Sequence, residues 1–387
     1  MPTFNAFCLE QKGKLAAENK LQACGQFSET ERYARLRLAR SVKVGPATFC
    51  ALTSRFGSAR NALVALPHCR EAKYRSIVLA SEADIEQEFL KAERFGAKLH
   101  FQGESSFPAL LGTIAPPPPV LTIMGESNLL NRPSLAIVGA RNASLAGMKL
   151  TQRLAKHAGE AGLCIISGLA RGIDTAAHEA SLTTGTAGVF AGGLDRPYPP
   201  ENKPLMRAIL DHGGCLISEM PFGWEPRPAD FPRRNRLVAG LANGLLVVEA
   251  AERSGSLISA RLAREMQRPV MAVPGSPLDS RSAGTNALLQ QGAILVAGPD
   301  DILKALNQCG IFSGSDSKSI SEICPVDGDE PDDSAKIIAA LSTVPVSLDE
   351  LVAHTGFSGP MVQLVLMELN LAGKLQRHAD GRVSLCG

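Results

Sequence analysis

The chain has 387 residues, 45% of them hydrophobic, and carries 40 Lys and Arg against 38 Asp and Glu, a formal net charge of +2. That much apolar material fills two or three cores and excludes a disordered chain. The near-neutral balance excludes recruitment to nucleic acid by bulk charge, so any such surface must come from local placement of arginine. Nine cysteines, at 8, 24, 50, 69, 164, 215, 309, 324 and 386, show neither C-x-x-C spacing nor a zinc-type histidine pair. Reduced thiols are expected, with no metal. The N-terminus has no h-region, and no apolar run approaches the roughly 18 residues of a span. A soluble, cytoplasmic protein without a membrane partner is the expectation.

In chain order, residues 1–28 mix polar and small residues without periodicity and read as a flexible tail. Residues 29–100 carry apolar residues at helical spacing, broken at Val44-Gly45-Pro46 and Phe56-Gly57-Ser58. This predicts a small helical domain of the SAM or helix-hairpin-helix type, whose Val44-Gly45-Pro46 turn can offer backbone amides to DNA phosphate. Its arginines can equally be solvated on a packing domain. Four prolines at 116–119 predict an extended connector into a strand at 120–124.

Residues 107–307 predict an extended Rossmann-like domain. Within it, apolar runs at 135–139, 163–167, 187–191, 215–219, 245–250, 269–274 and 293–297 alternate with helical patterns. Strands of this kind are buried on both faces, so the fold class is α/β with a parallel sheet. In such folds ligands bind beyond the carboxyl ends of the strands.

The segment Cys164–His178, CIISGLARGIDTAAH, is the most informative of those strand ends. Ser167, Gly168, Gly172 and the amides opening the next helix predict an anion cradle, with Arg171 inside it. Neither a Walker A sequence nor G-x-G-x-x-G is present, so a nucleotide cofactor is not expected. The other strand ends hold Gly139-Ala140-Arg141-Asn142, Gly192–Asn202, Pro221–Arg236 and Arg253-Ser254-Gly255-Ser256. Arginine recurs at 141, 171, 196, 227, 233, 234, 236 and 253, among Tyr198, Phe222, Trp224 and Phe231. Any one of these arginines can be a surface residue or the partner of Asp174, Asp195, Glu219, Asp230 or Glu249. Together on one face, arginine forks for phosphate and aromatic faces for bases suit single-stranded nucleic acid.

Residues 310–333 are polar and acidic and read as a linker. Residues 334–387 then predict three short helices and a hairpin turning at Ala379-Asp380-Gly381, a winged helix with Ser347 and Ser358 as N-caps and Glu350 completing a capping box. Its third helix, about 359–371, carries almost no positive charge, which favours a protein contact over duplex reading.

The motifs AIVGARNAS, SGLARGIDTAAHEASL, GGLDRPYPPENKPL, ISEMPFGWEPRPADFPRRNRLVAGLA, VVEAAERSGSLISARLA and VPGSPLDSRSAGTNALLQQGA cover most of residues 107–297. In that order they closely resemble the bacterial DNA processing protein A (DprA/Smf) family. The resemblance implies a homodimeric protein that binds single-stranded DNA in natural transformation and loads the RecA recombinase onto it. It implies no cofactor and no catalytic residue. Carried over by motif, the DNA-binding positions are Gly139, Arg141, Ser167, Gly168, Arg171, Gly172, Arg233, Arg234, Asn235 and Arg236, with Lys203 as a further contact. Ser254, Gly255 and Ser256 join them as a strand-end loop. The dimer surface is expected in the last strands and at 283–297.

The enzymatic alternative is a nucleotide phosphoribohydrolase of the lysine-decarboxylase-like group, whose P-G-G-x-G-T-x-x-E turn falls on residues 253–259 and puts Ser259 at the acid's position. A serine cannot stabilise positive charge developing on ribose. A triad of Ser167 or Ser256 with His178 is weaker still, since His178 lies one turn beyond Asp174 and suits a buttress of the turn. A nucleotide sensor signalling through the winged helix is a third reading.

Overall fold

The computed structural model describes residues 25–69, 71, 73–310, 333–378 and 380–386. The expected tail up to residue 24, the acidic linker at 311–332 and the hairpin residue 379 lie outside them. The chain divides into two units, one holding residues up to 131 with 190–197 and 215–230, the other holding the remainder.

The first unit opens with α1 (Glu29–Arg40), whose start is fixed by the Ser28 hydroxyl accepting the Glu31 N–H at 3.3 Å. Acidic residues in its first turn and Arg37 and Arg40 in its last complement the helix dipole. Next come α2 (Pro46–Phe56), α3 (Ala59–Ala65) and α4 (Glu82–Arg94). Pro46 presets the first turn of α2, and Gly57 ends it at φ +79°. Leu38, Phe49, Leu52 and Ala62 pack into one core. The arginines of α1 are internal ties rather than a solvated face. Arg32 donates to Leu99 O at 2.7 Å and Arg35 to Gln102 O at 2.9 Å, while Arg40 grips Glu88 at 2.7 Å and reaches Glu219 O at 3.1 Å.

Strands β1 (Ala97–Phe101) and β2 (Val120–Gly125) pair antiparallel, Phe101 opposite Val120. The second unit then supplies β3 (Ser134–Val138), α5 (Leu145–Glu160), β4 (Cys164–Ser167), α6 (Ile173–Ala180), β5 (Thr186–Val189) and α7 (Lys203–Asp211). The chain returns to the first unit for β6 (Cys215–Ser218), which pairs antiparallel with β2, Thr122 opposite Ser218. The run at 215–219 is therefore a strand, but not one of the parallel set. An apolar run buried on both faces carries no information on direction.

The second unit continues with α8 (Asp230–Leu241), β7 (Gly244–Val247), α9 (Gly255–Glu265), β8 (Val270–Ala272), α10 (Ala283–Gln290), β9 (Ile294–Leu295) and α11 (Pro299–Gln308). Its sheet is parallel in the order β5-β4-β3-β7-β8-β9. Every residue of β3, β4, β5, β7 and β8 is buried, as helices on both faces require. From β3 the chain first builds outward through β4 and β5, then crosses back to lay β7 on the other side of β3. The topological switch point is thus the crevice beyond the ends of β3 and β7.

The winged helix comprises α12 (Asp333–Ala340), α13 (Leu348–Thr355), α14 (Gly359–Leu371), β10 (Leu375–Arg377) and β11 (Val383–Leu385). Ile337, Leu351, Val362, Leu366 and Val383 form its core, which also takes in Leu145 from α5. The capping box is formed: Glu350 N–H donates to the Ser347 hydroxyl at 3.2 Å, and Ser347 N–H to Glu350 at 3.1 Å. Ser358 stands at the N-cap of α14 without a side-chain capping bond. Helix α14 exposes Leu364, Met367 and Leu371, and bears no cation. No helix among the described residues is long and apolar enough to cross a membrane.

Candidate nucleic-acid interface

A cavity of about 810 Å³ opens at the switch point, lined by Gly139, Arg141 and Asn142 after β3, by Arg253, Ser254, Gly255 and Ser256 after β7, and by Gly168, Arg234 and Asn235. That volume lies within the range of small-ligand sites.

The turn after β4 is filled from within. The Asp174 carboxylate accepts the N–H of Gly168 at 3.1 Å and of Ala170 at 3.3 Å, and Ile173 N–H goes to Ala140 O at 3.2 Å. The amides of the expected phosphate cradle are therefore already met by an acceptor belonging to the protein. Burial pushes the Asp174 carboxyl above its ordinary value, opposed by the nearby Arg234 charge and by the two amides. Gly172 has φ +73°, and a Cβ there would lie 2.5 Å from Ala140 O, so only glycine fits between the turn and the chain after β3. Asn202 donates to Leu169 O at 2.9 Å and closes the turn from outside.

Two further expectations change. Ser167 is fully buried, and its hydroxyl donates to Ile137 O at 2.6 Å, so it joins β4 to β3 and presents nothing to a ligand. The Arg234 side chain is buried as well. Its Nη1 donates to Gly168 O and, at 2.7 Å, to Val189 O, joining the ends of β4 and β5. Burial lowers its pKa to about 10, which leaves it cationic at neutral pH. Arg234 thus lines the cavity as a buried guanidinium whose Nη1 is committed to carbonyls, and a Cβ on Gly168 would strike it.

His178 is structural, but its side-chain bond runs to β5 rather than to the turn it was expected to buttress. The Thr186 hydroxyl donates to Ile165 O at 2.8 Å and so receives the His178 Nδ1–H at 2.7 Å. Burial drives the imidazole pKa down to about 3, which fixes it neutral.

Of the expected contacts in the second unit, Arg141, Arg171, Lys203, Arg233 and Arg253 are exposed. Arg141 lies over the Phe231 ring at 5.1 Å, and Phe231 meets the edge of Tyr198 at 5.5 Å, with Tyr198 49% exposed. Arg171 forms an ion pair with Glu201. Lys203 opens α7, away from the cavity lining. Arg233 and Arg236 stand on α8 beside Asn235, whose side-chain amide donates to Gly255 O at 3.2 Å. Ser254 caps α9, its hydroxyl 2.7 Å from that of Ser256. The start of this 11-residue helix borders the cavity.

The remaining arginines and aromatics of the expected single row belong to the first unit and are partnered there. Arg196 pairs with Glu225 at 2.8 Å, Arg227 covers the Trp224 ring at 4.7 Å, and Trp224 donates to Asp230 at 2.9 Å. Phe222 is buried against Phe95.

Sequence reasoning missed Asp279 and Arg281, which follow β8 and line the cavity. Their signal was the rule already applied elsewhere, that loops after parallel strands carry function, at one of the two strand ends left unread. The carboxylates lining the cavity are Asp174, held by amides, and Asp279, held by Arg281 at 3.1 Å. Ser259 lines it where a phosphoribohydrolase needs its acid.

Comparison with known proteins agrees with this architecture. Residues 98–307 match the family model "DNA recombination-mediator protein A", residues 29–92 a "DprA-like N-terminal HHH domain" and residues 325–381 a "DprA winged helix domain". The chain is 38% identical to Protein Smf of Escherichia coli over 270 residues, 69% of this chain and 72% of that one. It is 41% identical to DNA processing protein DprA of Streptococcus pneumoniae over 225 residues, 57% and 77% of the two chains. Among solved structures, DprA of S. pneumoniae superposes with a TM-score of 0.60 at 32% identity, over 72% of this chain and 98% of that one. DNA processing protein A of Helicobacter pylori, described for its single-stranded DNA binding mode, gives 0.51 at 30% identity over 56% and 97%. With all three domain models matched in order along one chain, this protein belongs to the DprA/Smf family of DNA recombination mediators.

Proposed function

We propose that the chain binds single-stranded DNA at the β3/β7 switch point and loads a RecA recombinase onto it in natural transformation. The observation that carries the reading is the packing of exposed Arg141 and Tyr198 on half-buried Phe231 beside a cavity edged by Arg253 and the start of α9. Arginine forks match phosphate oxygens, and aromatic faces accept bases of any identity, each stacked base contributing about 1–3 kcal/mol. The H. pylori relative's described binding of single strands supports the same ligand.

In this reading Arg141, Arg171 and Arg253 meet successive phosphates, with Lys203, Arg233 and Arg236 as outer contacts. Gly139, Gly168, Gly172, Arg234 and Asn235 hold the site's shape, and Ser254, Gly255 and Ser256 present the dipole of α9. The protein acts without catalysis in the cytoplasm, as a homodimer that sets two such sites on one strand and gains avidity.

Titration of oligo-dT at several salt concentrations tests it. Arg141→Ala and Arg253→Ala should each weaken binding and lower the salt slope by about 0.7, the value for one phosphate of a single strand. Affinity should climb steeply from mononucleotide to longer strands. Unchanged slopes in both variants would overturn the site. Loading is read as RecA filament formation on strands coated with single-strand binding protein, with and without this chain. Release of ribose phosphate from a nucleoside monophosphate would favour the hydrolase instead.

A further inference from the structure

The winged helix lacks cations on α14, yet it is joined to the strand-end side of its own unit by three separate contacts. Leu145, the first residue of α5, is 4% exposed and packs in the winged-helix core. One turn on, Lys149 Nζ meets Glu350 at 2.8 Å. Arg281 closes the end of α12, donating to Ala339 O at 3.0 Å and Leu341 O at 2.7 Å while Asp279 holds its Nε and Nη2, each at 3.1 Å. A guanidinium set on the carbonyl end of a helix is favoured by hydrogen bonding and by the dipole.

The consequence lies in the cavity. Ile338, Thr343, Leu385 and Cys386 of the winged helix complete the wall of the same 810 Å³ space that holds Arg141 and Arg253. One part of the wall is cationic and the other is uncharged and largely apolar. The volume is that of a small-ligand site, on the scale of a few nucleotides of one strand.

Resting on the proposed single-strand site, we propose that the docked winged helix is a specificity wall of that site. It admits one strand, with bases against Ile338 and Leu385 and phosphates toward Arg141 and Arg253, and it excludes duplex. Arg281 and Leu145 act as positioning residues that keep the wall in place. Arg281, committed to Asp279 and two carbonyls, is not a phosphate contact.

The test uses the full chain with Arg281→Ala and, independently, Leu145→Asp. The latter is favourable at a helix N-terminus and disruptive only where the winged helix packs. Hydrogen exchange at α12 and β11 reads docking, and anisotropy with oligo-dT and a blunt duplex of equal length reads specificity. Both variants should speed exchange and raise duplex affinity by a factor in the range of about 5–150 typical of coupled sites, with the single-strand salt slope of Arg281→Ala unchanged. Faster exchange with unaltered duplex affinity would overturn the wall. Unaltered exchange in both variants would overturn the positioning role. Failure of the wild type to bind oligo-dT would overturn the underlying single-strand reading instead.

Discussion

Replacing Arg234 by alanine should cost stability, not merely affinity. The side chain is 6% exposed, and its Nη1 bonds both Gly168 O and Val189 O. Alanine leaves two interior carbonyls without a donor, at about 1–3 kcal/mol each. It also takes away the positive charge nearest the fully buried Asp174, whose carboxyl then rises further and stays protonated at higher pH. The overall cost should be about 3–5 kcal/mol, that of stranding one half of a buried charged pair, with the two carbonyls a part of it. With a urea dependence of about 2–3 kcal/mol per molar, the unfolding midpoint should drop by about 1–2 M. Arg234→Lys keeps the charge but not the fork, and should fall between wild type and alanine. Arg171→Ala, on the exposed side of the same turn, should leave stability within ±0.5 kcal/mol and lower only the salt slope for oligo-dT. Urea unfolding followed by circular dichroism, alongside DNA titration, separates the two. An unchanged midpoint for Arg234→Ala together with a reduced salt slope would refute the buried role.

Glu201→Gln should strengthen oligo-dT binding a few-fold by releasing Arg171 from its ion pair, and equal affinity in low-salt titration would count against Arg171 as a contact. Phe231→Ala should weaken binding by about 1–3 kcal/mol without altering the salt slope, whereas a changed slope would show that its loss acts through Arg141. His178, with its folded pKa lowered to about 3 from 6.5, binds its proton only in the unfolded chain between those values. Stability should therefore fall as pH drops through that window, by about 1.4 kcal/mol per unit well inside it. Asp174, raised by burial, opposes this just above its ordinary value of 3.8, since there the folded state keeps a proton the unfolded state releases. Melting of His178→Gln between pH 7 and 4 should show a flatter acid limb, and parallel limbs would exclude the linkage.

The parallel core, the winged helix and the capping box were readable because each follows from local pattern: apolar runs of strand length, helical spacing, and Ser347 three residues before Glu350. Strand direction was not readable, and β6 turned out antiparallel because nothing in CLIS records which neighbour it meets. The burial of Arg234 was readable in principle. Arg234, Leu237, Val238 and Leu241 share one helical stripe, and all four are buried. Motif likeness drew attention to the charge of the FPRRNR segment and away from its period.

Asp174 is the more instructive case. A glycine turn followed by an acid is consistent with a phosphate cradle capped from one side, and equally with a turn that neutralises its own amides. Only the 3.1 and 3.3 Å bonds to Gly168 and Ala170 decide between them. Once the amides are taken, affinity for a polyanion must come from arginine side chains at the surface, reinforced by the open start of α9. Those side chains carry a full charge and meet phosphate without reading sequence, so binding should be strongly salt-dependent and indifferent to base order. Such a grip cannot by itself tell one strand from two, because a duplex offers the denser line of phosphates. Discrimination must then come from shape, and the uncharged wall formed by Ile338, Thr343 and Leu385 beside Arg141 and Arg253 supplies a shape that a single strand can enter.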